Sequence, residues 1–506
     1  MSRPNLIVAS YRSPVDYSND VSQSSLGGLT QALIGCMKPN DYWVAVSQGE
    51  NDPNLVDDDG VIVTTGEGFE FKQLKIFLNP ETNQRYYGIT ANAHIWPLFH
   101  LNQGTHYNRS TTFPRPRFDG NAFFSYAVVN EIFAKAIYEL AGGNTTDTTI
   151  WLQDYHLLLT PAKLKERNPA LTVSQFIHIP MFNPAVTKPY FNFNGESEEA
   201  TKLLIAGMLD NDLLGFHIHE YVDNFGQTVR QFFPTAKVSE TEKGLLITHN
   251  DKHCYVEAFP IGVDVDGIST LVKDGAAPNP IITTEGKTLE EFIKEDKNEG
   301  RKIIAGVERC DYTKGLVERF AILEQLLKQG LSMHYVGAIA PPREGIEEYQ
   351  HLFSEVQETH QKFNQRWQQK LGYEPATIIY GGLQPPYGLL SQADCILLPL
   401  IEDGMNIVFH ETVLSQQYRE HRERGIIAIG NAGIEKHAAS FGNQHGLVRI
   451  DPFNPENAAG NIIRALQAPY HISDALIRFI RNQDVKVWRD TFLQRLSEIK
   501  AEKKKS

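Results

Sequence analysis

Short apolar runs alternate with longer segments of helical periodicity along the chain, and this alternation restricts the fold more than any other feature of the sequence. The runs are apolar throughout, which is typical of strands buried on both faces of a parallel sheet. Examples are LIVAS at 6–10, YWVAVS at 42–47, KIIAGVE at 302–308, CILLPL at 395–400 and IIAIGN at 426–431. Because strands that alternate with helices form crossover units, we predict an α/β fold with a doubly wound parallel sheet in each half.

The chain has 506 residues, too many for one hydrophobic core. Pro260 and Gly262 interrupt the last apolar run of the first half, and the polar sequence that follows, up to about residue 299, predicts a linker. Apolar residues between Ile472 and Lys504 recur at near-helical spacing and predict one amphipathic helix. We expect an N-terminal domain at 1–262, a C-terminal domain at 263–475 and a C-terminal helical segment at 476–506.

Composition and residue spacing exclude several classes of protein. The formal net charge of −13 disfavours nucleic acid as the main partner. The four cysteines form no CxxC pair, and His217 and His219 lack a third ligand at metal spacing, so we predict neither a disulfide framework nor a metal site. No apolar run approaches the ~20 residues that a membrane span needs, and no leader segment is recognisable. We therefore expect a cytoplasmic protein without a membrane partner.

The stretch LLPLIEDGMNIVFHE at 397–411 is a candidate ligand site. An apolar strand ends there, Asp403 and Gly404 form a turn, and a helix follows, so the turn lies at the carboxyl end of a strand, where open α/β sheets bind ligands. A helix N-terminus suits the phosphates of a nucleotide, whereas Asp403 and Glu411 suit sugar hydroxyls. The alternative is that Asp403 is a simple turn residue and Glu411 a solvated helix position.

Three further cations follow other strands of the second half. Arg309 and Lys314 lie five residues apart in one strand-to-helix loop, and Arg343 follows the next strand. A pair of cations at this spacing suits a diphosphate, because both side chains can neutralise charge that develops on a leaving group. No Walker A pattern and no DxD pair accompanies them, so we predict a diphosphate site that needs no metal and no cofactor.

In the first half, ionisable residues also follow apolar strands. Arg12 comes just after the first strand, before a Gly27–Gly28 pair, and Asp154 and His178 end two successive strands. These positions favour a ligand crevice. A surface role for Arg12 and a fold role for the other two remain alternatives, and a lone Gly-Gly pair is a weak signal. Tyr87 and Trp96 are candidates for packing against a sugar ring, or else for plain core residues.

ERCDYTKG at 308–315 and EDGMNIVFHE at 402–411 closely resemble the paired signatures of trehalose-6-phosphate synthases and the related glucosylglycerol-phosphate synthases. The likeness extends through YYGITANAHIWPLFH, IWLQDYHL and HIP in the same order. It implies two Rossmann-like domains in the GT-B arrangement, with a deep interdomain crevice and a last helix that packs back toward the N-terminal domain. It also implies a retaining hexosyltransferase that transfers glucose from a nucleotide diphosphate glucose to a phosphorylated acceptor.

The resemblance implies roles for individual residues. Arg309 and Lys314 would hold the donor diphosphate and Glu411 the ribose, whereas Asp403 and His178 would fix the transferred glucose. The implied catalytic residues are Arg309, Lys314, Asp403 and His178. The implied donor-binding residues are Gly28, Arg309, Lys314, Asn406, Ile407 and Glu411.

On the acceptor side, Arg12, Tyr87 and Arg343 would hold the phosphate of glucose 6-phosphate. Trp43, Trp96 and Asp154 would surround the acceptor sugar. No carboxylate is implied as a nucleophile. The usual account in the family is front-face attack, with the acceptor hydroxyl deprotonated by the departing phosphate.

The sequence departs from the trehalose-phosphate pattern at HIPMFNPAVTKPYFNF (178–193), at Tyr11 and in the short stretch 381–394. Four hypotheses follow. The first is synthesis of α,α-trehalose 6-phosphate from UDP-glucose, and the second is a glucosylglycerol-phosphate synthase that uses ADP-glucose and glycerol 3-phosphate. The third is a catalytically silent GT-B binding protein. A glycoside hydrolase would need a pair of carboxylates that does not suggest itself beside the cations. A homo-oligomer is possible in each case.

Overall fold

The computed structural model describes residues 4–18, 21–24, 30, 33–66, 69–102, 109, 112–142, 148–191, 195–275, 279–280, 282, 286–343, 345–383 and 385–503. The chain divides into two compact units. Unit 1 comprises Met1–Gly104, Arg115–Ile261 and Val485–Ser506, and unit 2 comprises Thr105–Pro114 and Gly262–Asp484. The segment expected at 476–506 is therefore shared between the units.

Unit 1 contains a large mixed sheet and a small hairpin. Its strands are β1 (Leu6–Ala9), β2 (Val15–Ser18), β3 (Val21–Ser24), β4 (Tyr42–Val46), β5 (Val61–Gly66), β6 (Phe69–Ile76), β7 (Thr149–Gln153), β8 (Thr172–Phe176), β9 (Leu213–Phe216), β10 (Lys237–Thr241), β11 (Gly244–His249) and β12 (Lys252–Ala258). The large sheet has the order β10-β11-β12-β9-β8-β7-β1-β4-β6-β5, and β2 pairs with β3. Pairing is parallel from β12 to β6 and antiparallel at both edges.

Helices connect these strands. They are α1 (Asp52–Leu55), α2 (Pro80–Asn83), a π-helix (Gln84–Ile95), α3 (Trp96–Phe99), α4 (Gly120–Leu140), α5 (Thr160–Arg167), α6 (Pro184–Phe191), α7 (Gly195–Leu209) and α8 (His219–Phe232). The Asp119 side chain caps α4 by accepting a hydrogen bond from Ala122 N at 2.8 Å. The strand order reverses between β1 and β7. From β1 the chain adds β4 and β6 on one side of the sheet, and from β7 it adds β8 and β9 on the other.

Unit 2 contains a parallel sheet with the order β15-β14-β13-β16-β17-β18, the doubly wound order of nucleotide-binding folds. The strands are β13 (Lys302–Arg309), β14 (Met333–Ala340), β15 (Ala376–Tyr380), β16 (Cys395–Leu398), β17 (Ile426–Ile429) and β18 (Leu447–Arg449). The helices are α9 (Val265–Lys273), α10 (Leu289–Asn298), α11 (Leu316–Lys328), α12 (Glu347–Leu371), α13 (Tyr387–Gln392), α14 (Ile407–Ser415), α15 (Gly433–His437), α16 (Pro455–Gln467) and α17 (Asp474–Arg481). The prediction of two Rossmann-like parallel-sheet domains is confirmed.

The last helix, α18 (Val485–Lys503), follows unit 2 in sequence but packs in unit 1. Phe492 stacks on Trp151 of β7 with ring centroids 4.7 Å apart, and Trp488 lies 5.3 Å from the same ring. Arg495 Nε donates to Glu257 Oε1 of β12 at 2.8 Å. Both side chains of this ion pair are largely buried, so desolvation offsets much of its electrostatic energy, and burial of the large aromatic rings supplies most of the docking energy.

Two secondary-structure predictions are wrong. The segment expected to be a linker carries α9 and α10, because Asp264 and Thr288 cap helices whose apolar faces are short but buried. The predicted single helix at 472–504 is two helices, α17 and α18, separated at residues 482–484. Within the ranges that the structure describes, no helix combines the length and the apolar character that a bilayer span requires.

Candidate functional site

In unit 2 the predicted donor residues lie where the strand order reverses. Arg309 ends β13, Lys314 ends the 3₁₀ turn Tyr312–Lys314 that follows, and Asp403 lies just after β16. β13 and β16 are neighbours in the sheet, although α11 to α13 separate them in sequence. At such a switch point the two connections diverge to opposite faces and leave a crevice at the carboxyl ends of the strands.

Glycines let the backbones of this region approach closely. Gly315 has φ +61°, and a Cβ there would lie 2.0 Å from the carbonyl oxygen of Pro399. The loops after β13 and β16 are also joined by a hydrogen bond from Ile401 N to Thr313 O at 2.9 Å. Gly433 similarly leaves no room for a Cβ against Gly404 O. The glycines therefore let the loops after β13, β16 and β17 lie side by side.

Three predicted residues contact one another directly. Lys314 Nζ forms an ion pair with Asp403, and Asn406 Nδ2 donates to Asp403 Oδ2 at 2.9 Å. Asn406 has a left-handed backbone (φ +66°) and caps α14, since its Oδ1 accepts from Phe409 N at 3.2 Å. Ile407 begins α14 and is 38% exposed. The start of α14 and the Lys314 ammonium are thus held on the same carboxylate, and both a helix N-terminus and a cation favour an anion.

Asp311 is a central residue that sequence reasoning missed. Burial raises its pKa, but nearby Arg343, Arg309 and Lys314 outweigh that effect and hold the pKa below its usual value. Arg343 Nη2 lies 3.7 Å from Asp311 Oδ2, and Tyr349 Oη donates to the same oxygen at 3.4 Å. One buried carboxylate therefore interacts electrostatically with all three cations. Its place inside the ERCDYTKG motif is the signal that could have identified it.

Arg309 differs from the other two cations. It is exposed at the end of β13, and no described residue accepts a hydrogen bond from its guanidinium. The preceding residue, Glu308, is buried and accepts from Arg319 Nη2 at 2.5 Å, while Arg319 Nη1 donates to Tyr335 Oη at 2.8 Å. This buried pair anchors the end of β13, so Arg309 is presented from a fixed backbone with its donors available.

Glu411 lies in the second turn of α14 and is half-buried. Burial raises its pKa from the usual 4.5 to about 7. Burial, followed by the Glu411 carboxylate, raises the pKa of nearby Tyr387. A desolvated carboxyl at this position is a strong potential acceptor for hydroxyl groups of a ligand.

In unit 1, predicted residues follow the two strands at the reversal of strand order. Arg12 follows β1, and Asp154 follows β7. Asp154 has φ +69° and ψ −179°, a backbone conformation that is essentially restricted to glycine. Its amide donates to Phe176 O at 2.7 Å, and its Oδ1 accepts from His178 N at 3.2 Å. Strain of this kind is concentrated at functional sites. By contrast, Asn250 and Asp251, which also have positive φ, lie in an ordinary hairpin turn.

The His178 ring is held in a neutral state. Burial, and then the neighbouring His217, lower its pKa well below the usual value. His178 Nε2 lies 3.0 Å from Gln153 Oε1, and His217 Nε2 lies 3.2 Å from His178 O. A neutral imidazole can both donate and accept a hydrogen bond, which suits contact with a sugar hydroxyl.

Tyr87 belongs to a group of near-parallel rings in the π-helix region. Its ring stacks on Tyr11 at 4.1 Å and lies 5.7 Å from the ring of His156. Arg12 is exposed, and its Nη2 lies 3.4 Å from Tyr87 Oη. π-helical segments are rare and often occur at functional sites. Arg12 and Tyr87 are thus brought together, whereas Tyr11 and His156 are additional residues that sequence reasoning did not select.

The two predicted tryptophans are buried. Trp43 is 3% exposed and donates from Nε1 to Ser10 Oγ at 2.8 Å, and Trp96 is 7% exposed with its ring 5.4 Å from that of Tyr155. The burial of Trp96 agrees with the core alternative, and the role of both tryptophans at an acceptor stays a prediction. Gly28 lies outside the described residues.

A buried ion pair holds the segment that follows β1. The side chains of Lys75 and Asp52 are fully buried and lie 3.1 Å apart. Lys75 Nζ also donates to Ser13 Oγ at 2.5 Å and to Val15 O at 3.0 Å, while Asp52 Oδ1 accepts from Tyr17 N at 3.2 Å. The segment next to the first predicted arginine is therefore anchored by charge-assisted hydrogen bonds. Across the described ranges, no group of three His, Cys, Asp or Glu side chains could hold a metal ion.

The sequence pattern of glycosyltransferase family 20 matches residues 5–498 of the chain. The chain is 27% identical, over 98% of its length and 90% of the relative, to an alpha,alpha-trehalose-phosphate synthase (UDP-forming) of Schizosaccharomyces pombe. A structure from E. coli solved with UDP-2-fluoro glucose is 24% identical, with a TM-score of 0.78 over 98% of this chain and 99% of that one.

A UDP-forming trehalose-phosphate synthase of Burkholderia xenovorans, solved in complex with glucose-6-phosphate, has a TM-score of 0.76 at 23% identity. It covers 97% of this chain and 100% of that one. At these identities, both structures show that the fold is shared.

Proposed function

Because the chain belongs to glycosyltransferase family 20 and has the GT-B architecture, we propose that it transfers glucose from UDP-glucose to glucose 6-phosphate and forms α,α-trehalose 6-phosphate. The family resemblance predicted from the two motifs is confirmed, and the chain is a glycosyltransferase. The proposed substrates follow from the relatives, which are described as UDP-forming, and from structures with a UDP-glucose analogue and with glucose-6-phosphate.

The observation that carries the donor assignment is the pair of cations at the switch point of unit 2. We propose that Arg309 and Lys314 bind the diphosphate. Arg309 can do so without first breaking a hydrogen bond, because its guanidinium donates to no described residue. Lys314 would move from Asp403 toward the phosphate, and Asp403 would then accept from a glucose hydroxyl. As the bond to the anomeric carbon breaks, both cations would stabilise charge on the departing UDP.

Other donor contacts follow from the same geometry. We propose that the backbone at Asn406 and Ile407 cradles the diphosphate, because the first amides of α14 have no partner within the helix. Glu411 would accept hydrogen bonds from the ribose hydroxyls. His178, neutral and bonded to Gln153, would bind the transferred glucose, and Gly28 stays a predicted donor residue.

On the acceptor side, we propose that Arg12, Tyr87 and Arg343 bind the phosphate of glucose 6-phosphate. The 3.4 Å contact between Arg12 and Tyr87 supports a shared anion site. Asp154 would bind a sugar hydroxyl with Trp43 and Trp96 behind it. No group on the protein is assigned as the base. The departing phosphate would take the proton of the attacking hydroxyl, so that retention follows from attack on the same face.

The decisive experiment is a product assay. Purified protein is incubated with UDP-, ADP- or GDP-glucose and with glucose 6-phosphate or glycerol 3-phosphate, and the phosphorylated product is identified by mass. We expect a disaccharide phosphate from UDP-glucose and glucose 6-phosphate. A glucosylglycerol phosphate as the main product would refute the acceptor assignment, and no product from any pair would refute the enzymatic role.

A pair of arginine variants distinguishes loss of donor binding from a general loss of folded protein. Arg309→Ala should lower kcat/KM for UDP-glucose by about 100-fold or more, as expected when charge in the transition state is left uncompensated. Arg366→Ala removes an exposed arginine of the same unit on α12 and serves as the matched control. Equal activity of the Arg309→Ala and control variants would contradict the assignment.

The absence of a metal requirement, a cytoplasmic location and a homo-oligomer also stay predictions. If the cations alone neutralise the diphosphate, activity should be unchanged both by EDTA and by added divalent ions. Cell fractionation and size-exclusion chromatography test the other two.

A further inference from the structure

Tyr11 is one of the positions at which the sequence departs from the trehalose-phosphate pattern, and the function proposed above gives it no role. It lies between β1 and Arg12, and its side chain is only 5% exposed. Its carbonyl oxygen accepts a hydrogen bond from Val46 N, at the end of β4, at 3.1 Å. The backbone of Tyr11 is therefore held against the sheet of unit 1.

The Tyr11 ring lies against two other rings. Its centroid is 4.1 Å from that of Tyr87, with 9° between the ring planes, and 5.2 Å from that of His156, with 18° between the planes. Rings as close and as nearly parallel as those of Tyr11 and Tyr87 are in face-to-face contact. Rotation of the Tyr87 side chain into another rotamer would break this contact, so the Tyr11 ring restricts the orientation of Tyr87.

The Tyr11 hydroxyl is also bonded to the segment that carries Tyr87. It donates to Asn83 Oδ1 at 3.0 Å, and Asn83 is the last residue of α2, directly before the π-helix. Burial raises the pKa of Tyr11 to about 12, so the phenol stays protonated and adds no negative charge beside Arg12. Tyr11 thus contacts the Tyr87 segment through both its ring and its hydroxyl.

Hydrogen bonds hold the backbones of Tyr87 and Arg12. Tyr87 O accepts from Asn92 Nδ2 at 2.8 Å, and Arg12 O accepts from Ser10 Oγ at 2.6 Å. These bonds do not fix the side-chain torsions, and Arg12 is exposed while Tyr87 is half-buried. The 3.4 Å contact between Arg12 Nη2 and Tyr87 Oη therefore depends on a defined Tyr87 rotamer, against which the Tyr11 ring is packed.

We propose that Tyr11 is a positioning residue for the acceptor: its ring holds the Tyr87 phenol beside the Arg12 guanidinium, so that both groups meet the acceptor phosphate in one arrangement. This role rests on the proposed function, in which Arg12 and Tyr87 bind that phosphate. A site that is arranged before binding loses less conformational entropy on binding. Because apparent affinity scales with the fraction of protein in the competent arrangement, loss of the Tyr11 ring should weaken acceptor binding.

The test compares Tyr11→Leu with Tyr11→Phe in the full chain, with the product assay described above. If Tyr87 then populates the three staggered rotamers about equally, the competent fraction falls about threefold, and a ring contact of this kind corresponds to at most about a tenfold change. We expect Tyr11→Leu to raise KM for glucose 6-phosphate by about three- to tenfold, with kcat and KM for UDP-glucose within about twofold of the parent. Tyr11→Phe keeps the ring and loses only the bond to Asn83, so its KM should lie within about twofold of the parent.

Two further variants separate positioning from a general effect on folding. Phe225→Leu removes a fully buried ring of unit 1 on α8 and should leave both Michaelis constants unchanged. In Tyr87→Ala the phenol that Tyr11 positions is absent, so adding Tyr11→Leu should raise KM for glucose 6-phosphate by less than about a further twofold. A purely structural role of Tyr11 would multiply the two effects instead.

The proposal is overturned if Tyr11→Leu has the parental KM for glucose 6-phosphate, if Tyr11→Phe has the KM of Tyr11→Leu, or if the effects of Tyr11→Leu and Tyr87→Ala multiply. In each of these cases the parent still forms a disaccharide phosphate, and Arg12→Ala still raises KM for glucose 6-phosphate. A parent that forms no disaccharide phosphate would instead refute the proposed function, and the role of Tyr11 with it. If Tyr11→Leu does not fold, as judged by circular dichroism, Tyr11→Met replaces it, because methionine fills an irregular space without a ring and should give the same rise.

Discussion

We predict that Glu411 makes the affinity for UDP-glucose depend on pH. Its pKa of about 7 lies within the range of an ordinary assay, whereas the diphosphate of UDP-glucose does not titrate there. If the ionised carboxylate accepts from the ribose hydroxyls, about one molecule in ten is competent at pH 6 and about nine in ten at pH 8. We therefore expect the Kd for UDP-glucose to fall by about tenfold between pH 6 and pH 8.

The same group affects stability with a defined sign. Because the folded-state pKa is above the usual 4.5, the folded protein retains a proton that the unfolded chain loses, and stability falls as pH rises from 4.5 to 7. A pKa rise of this size lowers the free energy of unfolding by at most about 3 kcal/mol above pH 7 and by less than about 1 kcal/mol at pH 5. Glu411→Gln, which cannot ionise, should recover this energy at pH 8.

Glu411→Gln should thus be more stable than the parent at pH 8 but bind UDP-glucose less well. Calorimetric titration at several pH values measures the affinity, and urea unfolding measures stability. Glu355→Gln removes an exposed carboxylate on α12 and controls for the loss of one charge. A donor affinity that does not change between pH 6 and pH 8, or an unchanged affinity of Glu411→Gln at pH 8, would refute the reasoning.

Three other predictions concern stability and are checked by chemical unfolding. Lys75→Met should cost about 3–5 kcal/mol because the buried Asp52 carboxylate loses its cation, and adding Asp52→Asn, which keeps an acceptor for the amides of Tyr17 and Gly49, should recover part of the loss; additive losses would contradict this. Asp154→Gly should be about 1–3 kcal/mol more stable than Asp154→Ala, since only glycine relieves the strain. Phe492→Ala should cost about 3–5 kcal/mol and expose α18 to proteolysis, and an uncut helix would oppose the assigned docking.

Sequence reasoning succeeded where the signal is local. Arg309, Lys314 and Asp403 were selected because each follows an apolar strand, and the structure brings them to one end of one sheet. It failed at the predicted linker, where buried helix faces are too short to produce a clear period. It also missed Asp311, because an acidic residue among cations has no pattern of its own until its burial is known.

The sequence by itself determined the α/β class, the two doubly wound halves and the strand-loop-helix positions of the candidate residues, because apolar periodicity and turn residues act over a few neighbours. Only the tertiary structure decided the strand order, the pairing of Lys75 with Asp52, the strained backbone of Asp154 and the raised pKa of Glu411. These properties depend on burial and on contacts between residues far apart in the chain. Patterns over a few neighbouring residues of the sequence do not predict such contacts.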